Sequence, residues 1–402
     1  MAASGISQWT RRLTVALVPA FALLAVSAPA YAAHVPSLSA QGAILVDGNT
    51  GQILFGRDIR GEFYPASITK IMTAYLAITH AWNRTVIVSQ AAQDQIGSSA
   101  YLVAGEHLPM PKVVTAMMLV SGNDAAYAVA QTVAGSVPAF VRMMNQQARA
   151  WGAPGIHFDN PDGLPDPKHV VSALGMAIIA EHAMENPIFA KIVDTRESTL
   201  PPDPKPRVYY NQNLLLYNYP GAVGIKIGYT IEADETIVGA ARRHGLFLIE
   251  VLLHDTPAGL WPDAENLLTW GFQNFHQVTL VRQAEALGAV RLGGRRIPVR
   301  SAQSFTYLVA NGSSARPEFR LAADHPRDAG WIHRGSVVGS AQVWLGGRQV
   351  GTVPMVSAAR VAPLPPTVRF DWLWLLLPAA AALSFLRLSF PRRVRGGSPQ
   401  HG

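Results

Sequence analysis

A serine and a lysine three positions apart, Ser67 and Lys70, are the residues of this 402-residue sequence whose chemistry stands out first. The stretch around them starts with Pro65 and continues with apolar residues at helical spacing, which predicts that a helix begins here. Residues three apart lie on one face of a helix, so we expect the hydroxyl and the amine to meet. A hydroxyl beside an amine is a nucleophile beside a base. Because S-x-x-K is a common sequence, the pair alone indicates catalysis only weakly.

Two later stretches strengthen this interpretation. In LVSGNDAA, an apolar helical run breaks at Ser121, Asn123 follows, and a new helix is predicted from Asp124. In VGIKIGYT, Lys226 and Gly228 lie within a short β-like run, and a glycine in a strand often marks the close approach of a ligand. A serine nucleophile, S-x-N and K-x-G in this order form a set of motifs, which is a far stronger signal than any one of them.

These motifs are similar to those of penicillin-binding proteins and serine β-lactamases. The chain resembles in particular the D-alanyl-D-alanine carboxypeptidases, the low-molecular-mass penicillin-binding proteins of the S11 peptidase family. The similarity extends over residues 42–362 and includes AILVD before the serine, LVSGNDAA, and HFDNPDGL at residues 157–164. The resemblance implies a serine hydrolase that uses no cofactor and no metal.

The resemblance gives the catalytic steps to three residues. Ser67 attacks the penultimate carbonyl of a peptidoglycan stem peptide ending in D-Ala-D-Ala and releases the last D-Ala. Lys70 takes the hydroxyl proton if it is neutral, and burial, the helix dipole and Lys226 are expected to lower its pKa from about 10.4. Ser121 relays a proton toward the leaving amine, and water then attacks the acyl-enzyme. β-Lactams are expected to acylate the same serine.

The resemblance gives four further residues to substrate binding. Asn123 holds the substrate amide or the lysine of the first motif, and Lys226 holds the terminal carboxylate, directly or through the serine of the second motif. Gly228 allows a ligand backbone to approach its strand. The N–H groups of Tyr229 and of the nucleophile are expected to stabilise the oxyanion.

The sequence departs from the family pattern at three places. Ile227 stands where relatives carry Thr or Ser, so a hydroxyl that binds the terminal carboxylate is missing, a loss worth about 1.5–3 kcal/mol. We expect Ile227→Thr to raise activity on D-Ala-D-Ala peptides. Simple alternation along the strand puts Ile227 and Lys226 on opposite faces, so the sequence alone does not decide whether the side chain of Ile227 points toward the site. Gly175 replaces a frequent Asp, and Asp234-Glu235 replace small residues.

Other functions remain open at this point. A β-lactamase would need a glutamate that activates the deacylating water, and none is evident. A weakly active or inactive membrane-tethered peptidoglycan-binding protein would follow if Ile227 impairs turnover. A D,D-endopeptidase would follow if the substrate ends in a cross-link rather than a free carboxylate. A zinc peptidase is disfavoured because no H-E-x-x-H motif occurs, and we interpret His157 as a packing residue in a loop.

Composition describes a globular protein. The chain is 49% hydrophobic and 15% charged, and it has no cysteine, which excludes disulfides, thiol nucleophiles and cysteine zinc sites. Part of its net charge of +7 comes from arginines near the two ends, so we do not interpret it as nucleic-acid binding. A modest attraction to anionic envelope polymers fits the same charge.

Both ends of the sequence have the features of targeting segments. Residues 1–32 contain the charged region, the apolar core and the A-x-A site of a signal peptide, so an exported mature chain is expected to begin at Ala33. Residues 372–386 are apolar on all sides and reach a plausible span when extended to Phe390 with Arg387 snorkelling outward, which predicts a single transmembrane anchor at residues 372–390 rather than an amphipathic surface helix. Arginines in residues 391–402 predict a cytoplasmic tail, with the catalytic part on the outer side of the cytoplasmic membrane.

Hydrophobic patterns divide the mature chain into two domains. Residues 33–275 show strands, then helices, then strands with a closing helix. This order predicts an α/β (α+β) fold with an antiparallel sheet, and the resemblance implies the serine β-lactamase and penicillin-binding transpeptidase type. Residues 276–362 show short runs broken by glycine and a hairpin signal at Gly346-Gly347, which predicts a small all-β domain. Residues 363–371 are a proline-rich linker to the predicted membrane helix.

Overall fold

The computed structural model describes residues 35–200, 206–292, 295–313, 316–324 and 331–362. The predicted signal peptide, linker, membrane anchor and basic tail lie outside these residues. Within the described ranges, no helix is both long enough and apolar enough to cross a membrane.

The described part of the chain contains helices, a central sheet and a later group of strands. Its helices are α1 (Lys70–Ala81), α2 (Gln90–Gln93), α3 (Met110–Val120), α4 (Asn123–Ala134), α5 (Val137–Ala150), α6 (Ala173–Met184), α7 (Pro187–Val193), α8 (Leu215–Asn218) and α9 (Leu260–Asn274). The first strands are β1 (Gly42–Asp47), β2 (Ile53–Arg57), β3 (Thr85–Ile87), β4 (His107–Pro109), β5 (Glu197–Leu200), β6 (Arg207–Tyr210), β7 (Ala222–Thr230), β8 (Asp234–Arg243) and β9 (Leu246–Asp255). The later strands are β10 (Phe275–Val281), β11 (Ala286–Leu292), β12 (Arg295–Ser301), β13 (Phe305–Ala310), β14 (Glu318–Ala323), β15 (Val337–Leu345) and β16 (Arg348–Ser357).

A five-stranded antiparallel sheet in the order β2-β1-β9-β8-β7 forms the centre of the first domain. Its side chains alternate between the two faces, as in Ile44, which packs with the helices α1 and α3 to α6, and Leu45, which packs with α9. The predicted α/β architecture with an antiparallel sheet is confirmed. Because β7 is an edge strand, one of its sides is available to an extended ligand.

The helix predicted to begin around Ser67 is present, and its first turn is a 3₁₀ turn. The turn spans Ala66–Thr69, and α1 continues from Lys70. A 3₁₀ turn has three residues per turn, so residues 67 and 70 lie directly above one another. The 3₁₀ turn therefore aligns the serine and the lysine more closely than an α-helix would.

The predicted break between two helices occurs at Ser121. This residue ends α3 in a left-handed conformation with φ of 63°, and α4 begins two residues later at Asn123, one residue before the predicted start. A left-handed conformation costs a non-glycine residue roughly 1 kcal/mol, so packing of the helices on both sides must hold it.

Gly175 lies in the first turn of α6, where relatives often have a longer side chain. A Cβ at this position would come within 2.3 Å of the carbonyl oxygen of Pro154. This departure is therefore explained by local packing of the helix against the preceding loop.

The later strands form an all-β domain, as predicted. Five strands pair in the order β11-β12-β16-β15-β14, and β10 pairs with β13. The β15–β16 hairpin turns at Gly346 and Gly347, whose φ values are 58° and 78°. The side chain of Gln52 joins the two domains, because it donates to the carbonyl oxygen of Leu308 at 2.8 Å and accepts from its N–H at 3.0 Å.

Candidate active site

Lys70 lies at the centre of the candidate active site. Its side chain is fully buried, and its Nζ lies 2.9 Å from Ser67 Oγ, 2.7 Å from Asn123 Oδ1 and 2.7 Å from the carbonyl oxygen of Asp162. The amide of Asn123 is held in this orientation because its Nδ2 donates to the carbonyl oxygen of Ile96 at 2.7 Å. Ser67, Lys70 and Asn123 therefore meet in one hydrogen-bonded group.

The three contacts define what a neutral Lys70 can do. An amide oxygen and a carbonyl oxygen only accept, so Asn123 and Asp162 take the two hydrogens of a neutral amine. The lone pair of the nitrogen is then left for Ser67, whose hydroxyl is the one partner of the three that has a proton to donate. The arrangement is that of a nucleophile with its base.

The pKa of Lys70 is suited to this task. Burial lowers it from the ordinary value to about 8, while the negative charges of Asp162 and Asp124 act in the opposite direction. A base with a pKa near 8 is partly neutral at neutral pH and still basic enough to accept a proton.

Lys226 is a second buried amine on the same side of the sheet. It pairs across β7 and β8 with Val238, which packs against the helical layer, and its Nζ donates to the carbonyl oxygen of Ile227 at 2.8 Å. Burial, followed by the positive charge of Lys70, lowers its pKa well below the ordinary value. A carboxylate placed beside Lys226 would restore the ammonium form, because an opposite charge favours the charged state.

Gly228 brings β7 against the turn that contains Ser67. A Cβ at position 228 would lie 2.6 Å from the backbone nitrogen of Ser67 and 3.0 Å from the Cβ of Ala66. Opposite Gly228 on β8, the buried hydroxyl of Thr236 donates to the carbonyl oxygens of Pro65 at 2.9 Å and of Gly228 at 3.1 Å. These two hydrogen bonds hold β7 and β8 against the turn that contains Ser67.

Ser121 and Tyr229 are the two remaining predicted site residues; Ser121 lies two positions before Asn123, and Tyr229 follows Gly228. Ser121 is 5% exposed in the turn that precedes Asn123, and the side chain of Tyr229 is 57% exposed on the edge strand beyond Gly228. Among the described residues, neither side chain forms a hydrogen bond with Ser67 or Lys70.

Ile227 points away from the two lysines. It pairs with Ile237, and both side chains pack in the apolar cluster between the sheet and α9. Strand alternation and the packing of Ile237 both place the side chain of Ile227 on the α9 side of the sheet, a direction that the sequence alone leaves open. The side chain of Ile227 lies on the face opposite to Lys226.

Sequence reasoning missed the loop that supplies Asp162. The backbone carbonyl of this residue, not its side chain, accepts from Lys70. The next residue, Gly163, has φ of 93°, and a Cβ there would lie 1.8 Å from the carbonyl oxygen of Ala66, so the loop presses against the turn of the nucleophile. The stretch HFDNPDGL was visible as a similarity, but a sequence does not show which backbone atoms will be used.

Asp124 orders a second supporting loop. Its carboxylate accepts from the hydroxyl of Ser99 at 2.7 Å and from the N–H groups of Ala100 at 2.8 Å and Leu102 at 2.9 Å. The loop in turn meets Asn123, whose N–H donates to the carbonyl oxygen of Ser98 at 2.7 Å. The acidic residue that begins the predicted helix therefore fixes the position of its neighbour.

The buried imidazole of His169 supports the turn of the nucleophile from below. Its Nε2 lies 3.0 Å from Thr69 Oγ1, and its Nδ1 accepts from the N–H of Asp159 at 3.4 Å. Burial lowers the pKa of His169 to about 3, so the ring is neutral and donates from Nε2. His157, by contrast, exchanges backbone hydrogen bonds with Val170 in a loop.

Comparison with known proteins agrees with this geometry. The structure of penicillin-binding protein 5 from Haemophilus influenzae aligns with 81% of this chain and 98% of its own, with a TM-score of 0.70 and 26% identity. A variant of the Streptomyces K15 DD-transpeptidase aligns with 59% of this chain and 99% of its own, with a TM-score of 0.57 and 30% identity. The fold is therefore that of the penicillin-binding DD-peptidases.

The family follows from the sequence comparison. Residues 29–256 match the S11 peptidase family model, described as D-alanyl-D-alanine carboxypeptidase. Over 251 residues the chain is 34% identical to the D-alanyl-D-alanine carboxypeptidase DacB2 of Mycobacterium tuberculosis, covering 61% of this chain and 86% of that protein. The chain belongs to the S11 family of D-alanyl-D-alanine carboxypeptidases.

Proposed function

We propose that the chain is a serine-type D-Ala-D-Ala carboxypeptidase that removes the terminal D-Ala from peptidoglycan stem pentapeptides through an acyl-enzyme, and that β-lactams acylate the same serine. The hydrogen bonding of Lys70 carries this proposal. Two of its partners only accept, which leaves its lone pair for the hydroxyl of Ser67.

The reaction proceeds in two steps. Ser67 Oγ attacks the penultimate carbonyl carbon while its proton moves to Lys70, and the bond to the terminal D-Ala breaks as its amine takes up a proton, relayed by Ser121. The substrate carboxylate lies beside Lys226, which becomes charged there. Backbone N–H groups of Ser67 and Tyr229 stabilise the oxyanion. Water then attacks the ester and frees Ser67.

Labelling with a fluorescent penicillin, followed by measurement of D-Ala release from a pentapeptide, tests the proposal. The wild type should be labelled and should release D-Ala, and Ser67→Ala should do neither while keeping its circular dichroism spectrum. Ser313→Ala, an exposed serine of the all-β domain, is the matched control and should behave as the wild type. Undiminished labelling of Ser67→Ala would remove the serine from its role. Labelling of the wild type without D-Ala release would instead support a peptidoglycan-binding protein with poor turnover.

The apolar flank of β7 favours a second candidate, a D,D-endopeptidase that cleaves cross-linked peptides. This flank consists of Tyr229 and Ile231, at the end of β7 and just beyond it, which are 57% and 86% exposed. Such a flank suits an uncharged, longer ligand better than a free carboxylate. Turnover of a cross-linked dimer at a higher kcat/KM than the pentapeptide would select this candidate.

A further inference from the structure

The two domains carry net charges of opposite sign. Residues 33–275 contain 15 lysines and arginines and 21 aspartates and glutamates, whereas residues 276–362 contain 11 arginines and four acidic residues. The all-β domain is therefore strongly cationic, although the domain that contains the candidate active site is anionic. Net charge of this kind governs which surfaces a domain approaches, not how it folds.

Several of the arginines meet at one end of the five-stranded sheet. Arg291 and Arg296 are direct cross-strand partners on β11 and β12, next to Arg295, whose Nη1 donates to the carbonyl oxygen of Ala362 at 3.1 Å. Arg360 lies in the same terminal segment. We call Arg291, Arg295, Arg296, Arg360 and the adjacent Trp331 the basic tip.

The arginines of the basic tip have no acidic partner among the described residues. None of the salt bridges in the described part of the chain involves them. The described acidic residues of the domain are Glu285, at the opposite end of β11, and Glu318 and Asp324, on or next to β14, which packs against β11; none of them forms an ion pair with the basic tip. Like charges directly opposite each other on a sheet destabilise it, so an external anion would stabilise this end.

Trp331 adds an apolar group to the same end. It is 50% exposed, and the guanidinium of Arg360 lies 4.5 Å from the centroid of its ring. The neighbouring Ile332 bridges to Val361, which keeps the indole beside the last described residues. A half-exposed tryptophan beside arginines is typical of protein surfaces at the boundary between lipid and water.

The position of the basic tip in the chain indicates which surface it meets. The last described residue, Ala362, is followed by nine linker residues and then by the apolar run at residues 372–390. Nine extended residues span at most about 30 Å. If the apolar run is embedded, the end of the domain that contains Ala362 is held within this distance of the membrane.

We propose that the basic tip docks on the anionic phospholipid headgroups of the membrane surface, so that the all-β domain stands on the membrane and the anionic peptidase domain is repelled from it. Trp331 inserts at the level of the headgroups while the arginines contact phosphate. The proposal rests on the predicted anchor for proximity, but the docking contact belongs to the domain itself.

A single label can test the docking, because the sequence has no cysteine. His333→Cys introduces a thiol at an exposed position two residues from Trp331, for an environment-sensitive fluorophore on the full-length mature chain. The labelled chain is reconstituted in nanodiscs of phosphatidylcholine alone or with 30% phosphatidylglycerol. Emission should shift to the blue only with the anionic lipid and should return with 0.5 M salt, since salt screens these contacts.

Charge reversal identifies the residues. Arg291→Glu with Arg296→Glu should reduce the docked-to-free ratio by at least roughly 25-fold, since each basic residue near an anionic membrane adds about fivefold. Arg142→Glu with Arg149→Glu, two exposed positions on α5, makes the same change in net charge and should leave the shift intact. Penicillin labelling of all variants checks that the peptidase domain is folded.

Three results would overturn the proposal. The wild type could show equal emission on neutral and anionic nanodiscs, or the two charge-reversal pairs could have equal effects. Soluble polyphosphate could also shift the emission as strongly as the lipid, which would indicate a wall polyanion instead. Loss of the chain from neutral nanodiscs after a salt wash would contradict the anchor but not the lipid-dependent shift, so the two failures are distinguishable.

Discussion

In the proposed mechanism, Lys70 sets the pH dependence of the reaction, because only its neutral form can take the proton of Ser67. Its pKa is lowered to about 8 by burial, so the neutral fraction grows as the pH rises toward 8. We expect kcat/KM for acylation by a β-lactam to rise about tenfold per pH unit below that value and to level off above it.

Lys70→Arg provides the check on this profile. A guanidinium does not lose its proton in proteins, so acylation should be lost at every pH while the fold is retained. A wild-type profile that is flat between pH 6 and 9 would contradict the role of Lys70 as the base.

For Ile227→Thr, the structure predicts a different effect on activity than the family pattern alone does. Its side chain packs with Ile237 against the α9 side of the sheet. Ile227→Thr should therefore lower stability by about 1 kcal/mol, through lost apolar burial, and change kcat/KM on pentapeptide by less than tenfold.

Ile227→Val, which keeps the shape without a hydroxyl, is the control. A gain of tenfold or more for threonine but not for valine would mean that the hydroxyl reaches the substrate from the edge of β7. Thermal unfolding and kinetics on both variants separate the packing effect from the binding effect.

At the scale of elements, Thr236 connects three segments. Its hydroxyl bonds the carbonyls of Pro65 and Gly228 and so fixes β7 and β8 against the turn of the nucleophile. Thr236→Val keeps the shape and should lower kcat by about tenfold with a smaller effect on KM, because misplacement of the nucleophile affects the reaction more than binding. Thr236→Ser should restore kcat. Equal losses for valine and serine would show that the methyl group, not the hydroxyl, is important.

Glu250 on β9 is buried between the sheet and α9, with both carboxyl oxygens unpaired among the described residues. Burial, together with the charges of Asp263 and Asp255, raises its pKa well above the ordinary value. The folded state therefore holds a proton that the unfolded chain releases above its own pKa of about 4.3. Stability from this group is fully present in acid and decreases as the pH rises toward the folded pKa.

Glu250→Met should remove this pH dependence. Methionine has similar volume and no unpaired polar atom, so we expect a gain of about 1–3 kcal/mol at pH 7 and a smaller gain at pH 4. Denaturant unfolding at the two pH values measures it, and a loss of stability at pH 7 would mean that the carboxyl has a partner of its own.

At the scale of the whole molecule, the predicted anchor lies beyond Ala362 and outside the described residues. Removal of residues 371–402 should release an active enzyme from membranes, because the apolar run at residues 372–390 is lost with them. Fractionation before and after a high-salt wash, with penicillin labelling of each fraction, measures this. A shortened chain that stays with membranes after the wash would indicate a second, non-ionic attachment.

Local patterns of apolar and turn residues in the sequence were sufficient to predict the architecture. Alternating apolar residues indicated the strands of the central sheet, and Gly346-Gly347 indicated the hairpin of the all-β domain, because both depend on residues near in sequence. The same was true of the break at Ser121, where a helical apolar run stops at a short polar segment.

Ser67, Lys70, Asn123 and Lys226 were identifiable from the sequence because each belongs to a short motif with its own spacing. Their chemistry was not, because it depends on groups brought together from distant segments. The carbonyl of Asp162 meets Lys70 only after the 160–164 loop packs on the nucleophile's turn. The pKa of Lys70, near 8, results from burial, and the spacing of residues in a motif does not reveal burial. The direction of Ile227 likewise depends on which face of the sheet α9 covers, and that is a property of the packed molecule.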